Sequence, residues 1–335
     1  MDRLTRSKEI YRKKGMRTLI QKTLQHIQYE INPAPTVTDP DVQESVFVLK
    51  HLYNWWFNKQ YGTGTDVMAE DWDTLILLDA CRFDDFKEIN TLSGELNSRI
   101  SRGVDSDEFI RKNFLGRKLH DTVYVTANPH VSLLSGSEFY DTITEPIEQW
   151  DTDLGCVRPE VVTKTAKRAH RKYPNKKIIV HYMQPHDPPL GTTADSLRNK
   201  YKIGGPISDD TTPDRDRIME LVAEGTISIK SAHTAYRETL EIVLTEVESL
   251  LDTISGKVVI SADHGEHFGE QPYPVLGQLY EHYQNPRTVE LCKVPWFVVD
   301  TDMDRREINT EESTESVTPV SEETVEEQLQ ALGYR

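Results

Sequence analysis

The chain has 335 residues with a formal net charge of −16, and its residues are 37% hydrophobic and 28% charged. That length admits one large α/β domain with terminal extensions, and the modest apolar fraction requires the hydrophobic residues to be gathered into a few buried segments. The acidic balance excludes general nucleic-acid binding, because a phosphate backbone would be repelled. Cys81, Cys156 and Cys292 are too few and too scattered for a disulfide framework or a cysteine zinc site.

Residues 1–30 carry eight Lys/Arg against three Asp/Glu. Ile20, Leu24, Ile27 and Ile31 fall at helical spacing, and Asn32-Pro33-Ala34-Pro35 stops that helix. Such an arm either rests on an anionic membrane through residues 1–30 or docks on its own domain. A second helix is predicted from Ser45 to Gly62, with Val46, Leu49, Tyr53 and Trp56 on one face and an aromatic end, Trp55-Trp56-Phe57, expected to pack in the core. No run approaches the roughly 20 apolar residues needed to cross a bilayer. The basic N-terminus lacks the apolar stretch and cleavage site of a secretory signal, so a cytoplasmic location is expected, at the inner membrane surface if the arm binds lipid.

From Leu75 onward, short aliphatic runs alternate with helical patterns. Leu75–Leu78, Val123–Val125, Ile178–Val180, Val258–Ile260 and Trp296–Val299 read as strands. Between them, a helix starts at Pro159, a favoured first helical residue, and another aligns Tyr236, Leu240, Val243, Val247, Leu250 and Ile254 on one face. The alternation predicts an α/β fold with a mainly parallel sheet flanked by helices on both faces. The expected organisation is a basic helical arm over 1–44, a catalytic domain over 45–303 and an acidic, flexible tail over 304–335. That tail includes Glu311, Glu312, Glu315, Glu322 and Glu323, with a short helix open to Val325–Leu332.

In open parallel sheets, ligands bind beyond the carboxyl ends of the strands. Those ends here carry Asp79-Ala80-Cys81-Arg82, Asn128-Pro129-His130, His181 through His186-Asp187, and Asp263-His264-Gly265. Asp79, Asp263 and His264 together would make a mixed oxygen and nitrogen site for a divalent cation.

The segments Leu75–Phe86, Val180–Pro188 and Ser261–Glu266 resemble the first metal-ligand strand, the His-Pro-His-type segment and the Asp-His-Gly segment of sulfatase-like members of the alkaline phosphatase superfamily. Val289–Trp296 is similar to the segment that closes the catalytic domain there. The resemblance runs from about Asp73 to Asp300, with the motifs in the family's order. It implies an alkaline-phosphatase-like fold in which Asp79, Asp263 and His264 hold a metal ion, with Mn, Zn, Mg or Ca as candidates and a second site left open.

The resemblance also implies a nucleophile on a loop after the first strand. Ser106 is the candidate, at a helix start that would favour an anion; Ser101 is the fallback, and helix capping is the competing role for Ser106. His186 and His181 would bind a second metal or donate to a substrate oxygen, and His282 falls where the family places a further metal or leaving-group histidine. Asn128 and His130 are candidates for contacting the ester oxygens, and Arg287 for clamping the anion. The Cys-x-Pro-x-Arg maturation segment of sulfatases is absent, and Cys81 reads as a small buried residue.

The expectation is therefore a hydrolase or transferase acting on phosphate esters in preference to sulfate esters, on a glycan or lipid head group. A non-catalytic member that binds an anionic glycan or scaffolds an assembly is the alternative.

Overall fold

A computed structural model of the chain describes residues 40–201, 203, 218–273, 277–283, 285–300, 304–310 and 327–329. The helix expected at Ile20–Ile31, the membrane-contact arm and the glutamates between 311 and 323 lie outside the described residues. Among the described residues, no helix is long and apolar enough to cross a membrane.

Helix α1 (Pro40–Tyr61) precedes the sheet. In chain order there follow β1 (Thr74–Asp79), α2 (Phe83–Ile89), β2 (Gly94–Ile100), α3 (Ser106–Asn113), β3 (Leu119–Thr126) and β4 (Phe139–Ile143). Then come α4 (Pro159–Lys172), β5 (Lys177–Pro185), α5 (Ile229–Leu251), β6 (Val258–Ala262) and β7 (Lys293–Val299). The seven strands form one sheet in the order β2-β7-β6-β1-β5-β3-β4. Neighbours from β6 to β4 pair in parallel, and β7 alone runs antiparallel, against both β6 and β2.

Side chains alternate between the two sheet faces, as the pleat requires. Ile76, Leu78, Val123, Val125, Ile178, Val180 and Ile260 pack with Val162 and Ala166 of α4 and Leu240 and Val243 of α5. Leu75, Leu77, Tyr124, Ile179 and Val259 pack on the other side with Trp72 and with Phe109 and Ile110 of α3. Helices therefore cover both faces, as the apolar runs predict, and each fully buried aliphatic side chain contributes about 1.5–3 kcal/mol relative to exposure. The predicted stripe on α5 is buried throughout, Ile254 lying just past the helix end. Pro159 is the first residue of α4.

Three features depart from the sequence reading. The edge strands β2 and β4 carry no aliphatic run; β2 is partly exposed along its whole length and mixes charged and polar residues, as an edge tolerates. His181 lies inside β5 rather than beyond it. At the aromatic end of α1 only Phe57 is in the core, at 1% exposure, whereas Trp55 and Trp56 are 61% and 50% exposed. A helix face can bury what meets the domain; Trp56 reaches it only at an edge-on contact with Tyr273, and Trp55 stays outside.

The described part of the tail touches the domain at two places, Arg305 and Arg306 at the amino end of the sheet and Gln328 beyond the carboxyl end of β4. Arg305 pairs with Asp71 and Asp73, Arg306 Nη1 donates to His170 Nδ1 at 2.8 Å, and Gln328 Nε2 donates to the Ile147 carbonyl at 2.9 Å.

Candidate active site

At the carboxyl edge of the sheet, β1 ends in Asp79 and β6 runs into Asp263-His264. The turn after Asp79 is tight: Ala80 adopts φ 58°, in the left-handed region that costs a non-glycine residue about 1–2 kcal/mol. Its backbone is held from both sides, because Ala80 N–H donates to Asp263 Oδ1 at 3.2 Å and the Tyr236 hydroxyl donates to its carbonyl at 2.8 Å. After His264 the chain passes so close to the short helix Val289–Cys292 that a Cβ on Gly265 would lie 2.0 Å from the Glu290 carbonyl oxygen. Glycine is therefore required there.

Among the described residues, Asp79, Asp263 and His264 offer ligand atoms that all lie within 4.8 Å of one another. All three are buried. The His264 Nδ1–H donates to the Gly265 carbonyl at 2.8 Å, which turns Nε2 toward Asp79 Oδ1 at 3.3 Å and Asp263 Oδ2 at 3.6 Å. Asp79 Oδ1, His264 Nε2 and His181 Nε2 are buried atoms without a hydrogen-bond partner, and His181 Nε2 lies 3.4 Å from Asp263 Oδ2. Buried polar atoms left unpaired at one point are costly, and a cation between them would satisfy them. Two carboxylates and an imidazole are a donor set that could hold a divalent metal.

The electrostatics of this cluster call for positive charge. Burial alone would lower the His264 pKa, but the Asp263 and Asp79 carboxylates raise it to about 10. Burial likewise opposes ionisation of Asp263, yet His264, His181 and the Ser106 hydroxyl hold its pKa well below the usual carboxylate range. A proton on His264 thus partly offsets two buried negative charges, a role a metal ion would take over more completely.

Ser106 stands directly over the cluster. It is fully buried at the first turn of α3. Its hydroxyl donates to Asp263 Oδ2 at 2.6 Å, accepts from Asn128 Nδ2 at 2.8 Å and lies 3.4 Å from Asp79 Oδ2. Capping falls to its neighbour, because Asp105 is the N-cap and its Oδ1 accepts from Glu108 N–H at 2.8 Å. The capping role is therefore not that of Ser106. Ser101 is corrected too: its hydroxyl is tied to the Asp263 backbone carbonyl, so it fixes the position of Asp263 rather than facing the carboxylates.

Asn128, just after β3, bridges Ser106 and Asp79, with Nδ2 2.9 Å from Asp79 Oδ2, while its Oδ1 accepts from the His130 N–H. His130 is buried, and burial lowers its pKa to about 4. His186, with its N–H bonded to the Asp79 carbonyl at 3.1 Å, is held in the neutral form by burial, its pKa lowered to about 4. Its Nδ1–H donates to the Asp187 carbonyl at 2.5 Å. The lone pair then sits on Nε2, which suits a ligand or acceptor and not the donor to a substrate oxygen.

His282 is drawn toward the same region. Its ring centroid lies 4.3 Å from that of His264 and 5.0 Å from that of His186, and its Nδ1 lies 3.0 Å from Glu266 Oε2. Glu281, immediately before it, has φ 56°, a second left-handed residue at the edge of the site.

Arg287 does not face the cluster as a free clamp. Its Nη1 and Nη2 donate to the backbone carbonyls of Arg102 and Ser101 at 2.9 and 2.6 Å, and its guanidinium lies 5.3 Å from the Phe57 ring centroid. It braces the loop that delivers Ser106.

Two partners escape a reading from sequence alone. Tyr124 reads as a strand residue, yet its hydroxyl meets His181 Nδ1 at 2.8 Å. Tyr236 reads as one more member of an amphipathic stripe, yet it fixes Ala80. Cys81 is buried with its thiol pKa pushed up by burial, as expected of a packing residue.

No protein-family model matches the chain, and no curated protein does. Solved structures similar to it include the integral membrane protein lipooligosaccharide phosphoethanolamine transferase A from Neisseria meningitidis, at 12% identity and a TM-score of 0.43, over 83% of this chain and 59% of that one. Another is the C-terminal periplasmic domain of EcEptC from Escherichia coli in complex with zinc, at 13% identity and a TM-score of 0.43, over 71% of this chain and 76% of that one. A third is a 2-O GAG sulfatase, at 12% identity and a TM-score of 0.40, over 78% of this chain and 70% of that one. This chain thus spans 59% of the length of the first of these. The likenesses are remote, and the chemistry of the site follows from its own geometry.

Proposed function

We propose that this chain is a metal-dependent enzyme that hydrolyses or transfers the anionic group of a phosphate ester, with Ser106 as nucleophile and Asp79, Asp263 and His264 as metal ligands. The observation that carries this reading is the fully buried Ser106 hydroxyl, 2.6 Å from Asp263 Oδ2 and beside an acidic cluster with unpaired ligand atoms. A serine with only a structural role has little reason to be placed there.

The imidazole among the ligands favours zinc or manganese over magnesium or calcium, which take oxygen donors. When bound, such an ion would lower the pKa of the attacking hydroxyl and offset the charge of the ester oxygens. The protein groups supply the rest. Asn128 donates to Ser106 Oγ and holds its orientation. The Ser106–phosphorus bond forms as the bond to the leaving oxygen breaks; the hydroxyl proton is released along its hydrogen bond to Asp263, whose low pKa passes it on, and a proton reaches the leaving oxygen, which departs as the alcohol. The start of α3 presents backbone N–H groups to the incoming anion. Water or an acceptor hydroxyl then takes the group from Ser106 and returns a proton to Oγ.

His186 and His282 stand beside the same cluster, their ring centroids 6.5 and 4.3 Å from that of His264, and would form a second position for a ligand or leaving group. The substrate class we propose is a phosphate ester of a glycan or lipid head group. Phosphate is preferred over sulfate because the buried Cys81 thiol lies outside any Cys-x-Pro-x-Arg segment.

The test is turnover of phosphomonoester, phosphodiester and sulfate ester substrates by chelator-treated protein before and after adding zinc or manganese. Phosphoester turnover that returns with metal supports the proposal. Metal uptake with no turnover of any ester would favour a binding module instead.

A further inference from the structure

The outward face of α1 is unusual for so acidic a chain. Leu52, Trp55, Trp56 and Lys59 stand at positions i, i+3, i+4 and i+7, which one helix face shares. Leu52, Trp55 and Trp56 are 56%, 61% and 50% exposed, and Lys59 is exposed with its Nζ 5.2 Å from the Trp55 ring centroid. No Asp or Glu occurs from Ser45 to Thr65, in a chain whose net charge is −16. Trp72 and Trp296, by contrast, are buried.

Adjacent exposed tryptophans with Lys beside them, and no acid among them, match the side chains that settle at a membrane–water boundary. There the indole sits among head groups while the ammonium reaches anionic phosphates. Trp56 meets the Tyr273 ring edge-on at 6.2 Å between centroids, yet half of its surface stays exposed beside Trp55. Continuity in the chain adds charge: residues 1–30 carry eight Lys/Arg against three Asp/Glu and lead into the start of α1.

We infer that the Leu52/Trp55/Trp56/Lys59 face of α1 seats the protein on an anionic lipid surface. The opposite side of the same helix is tied to the catalytic loop. Phe57 packs with Val104, Leu291 and Cys292, and Asn54 Oδ1 accepts from the N–H of Arg287, the residue that braces the carbonyls of Ser101 and Arg102. Seating this face therefore fixes the mouth of the Ser106 loop relative to the lipid. The inference is independent of the chemistry assigned to Ser106, since lipid binding is read without turnover.

The experiment is binding of the full chain to phosphatidylcholine vesicles with and without phosphatidylglycerol, read by co-sedimentation and by quenching of tryptophan emission with brominated lipid. Wild type should bind the anionic vesicles and be quenched. W55S/W56S, with unchanged far-UV circular dichroism and unchanged metal content, should bind at least about tenfold more weakly. Equal binding by the variant overturns the inference. So does binding that disappears on removal of residues 1–39 while the indoles remain unquenched in wild type, or a self-association that W55S/W56S abolishes in protein that ignores vesicles.

Discussion

The hydroxyl of Ser106 donates to the carboxylate of Asp263, 157 positions further along the chain, across 2.6 Å. The contact joins the first turn of α3, which follows β2, to the end of β6, two places from β2 in the sheet order. Asp263 is therefore shared between the proposed metal and the proposed nucleophile, and substitutions at the two positions separate the roles.

Asp263→Ala and Asp79→Ala should each reduce bound zinc or manganese by at least about tenfold, since each removes an anionic ligand. Elemental analysis of the purified variants measures this, with circular dichroism as the check on folding. Wild-type metal content in both would remove the assigned site.

Ser106→Ala should keep its metal and lose on the order of a thousandfold in turnover, because the covalent route closes while the electrostatic site remains. Steady-state kinetics against a soluble phosphoester gives the ratio. Cys81→Ser, at a buried packing position, should change turnover far less.

Arg287→Ala leaves the Ser101 carbonyl without its donor, a loss of about 1–3 kcal/mol, while the Arg102 carbonyl keeps Lys112 Nζ at 3.0 Å. Urea unfolding should show the destabilisation, and turnover should fall with metal content retained. An anion clamp would instead raise KM alone and leave stability untouched.

His170 gives a pH signature far from the site. Burial, with a contribution from Arg306, lowers its pKa from 6.5 to about 3. The folded state therefore favours neutral imidazole, and as pH falls the unfolded chain takes up the proton first. This contribution to stability is complete above pH 6.5, declines as pH drops toward 3, and amounts to a few kcal/mol over that window. Unfolding free energies measured across the window should decline less steeply in His170→Gln. Identical slopes would show that His170 titrates normally.

Much of the site is legible in the sequence because its residues follow strand ends. Asp79, Asn128, Asp263 and His264 each come directly after, or close, an aliphatic run, and parallel packing gathers such ends on one edge. What escapes is whatever depends on a second segment of chain. Arg287 binds carbonyls whose position is set by β2, an edge strand that lacks the apolar run by which strands are recognised. Ser106 and Asp105 differ by one residue at a helix start, and only hydrogen-bond geometry tells the cap from its neighbour. Trp55, Trp56 and Phe57 are all large aromatics, so composition does not reveal which of them is buried.

The central claim is that Ser106 carries the transferred group. Its most direct test is peptide mass spectrometry of metal-loaded protein quenched in acid while it turns over a chromogenic phosphoester. The account predicts a substrate-derived phosphoryl or phosphodiester group on the peptide that contains Ser106, absent from Ser106→Ala. Sustained turnover by Ser106→Ala at the wild-type rate, with no modified peptide in either protein, would contradict it.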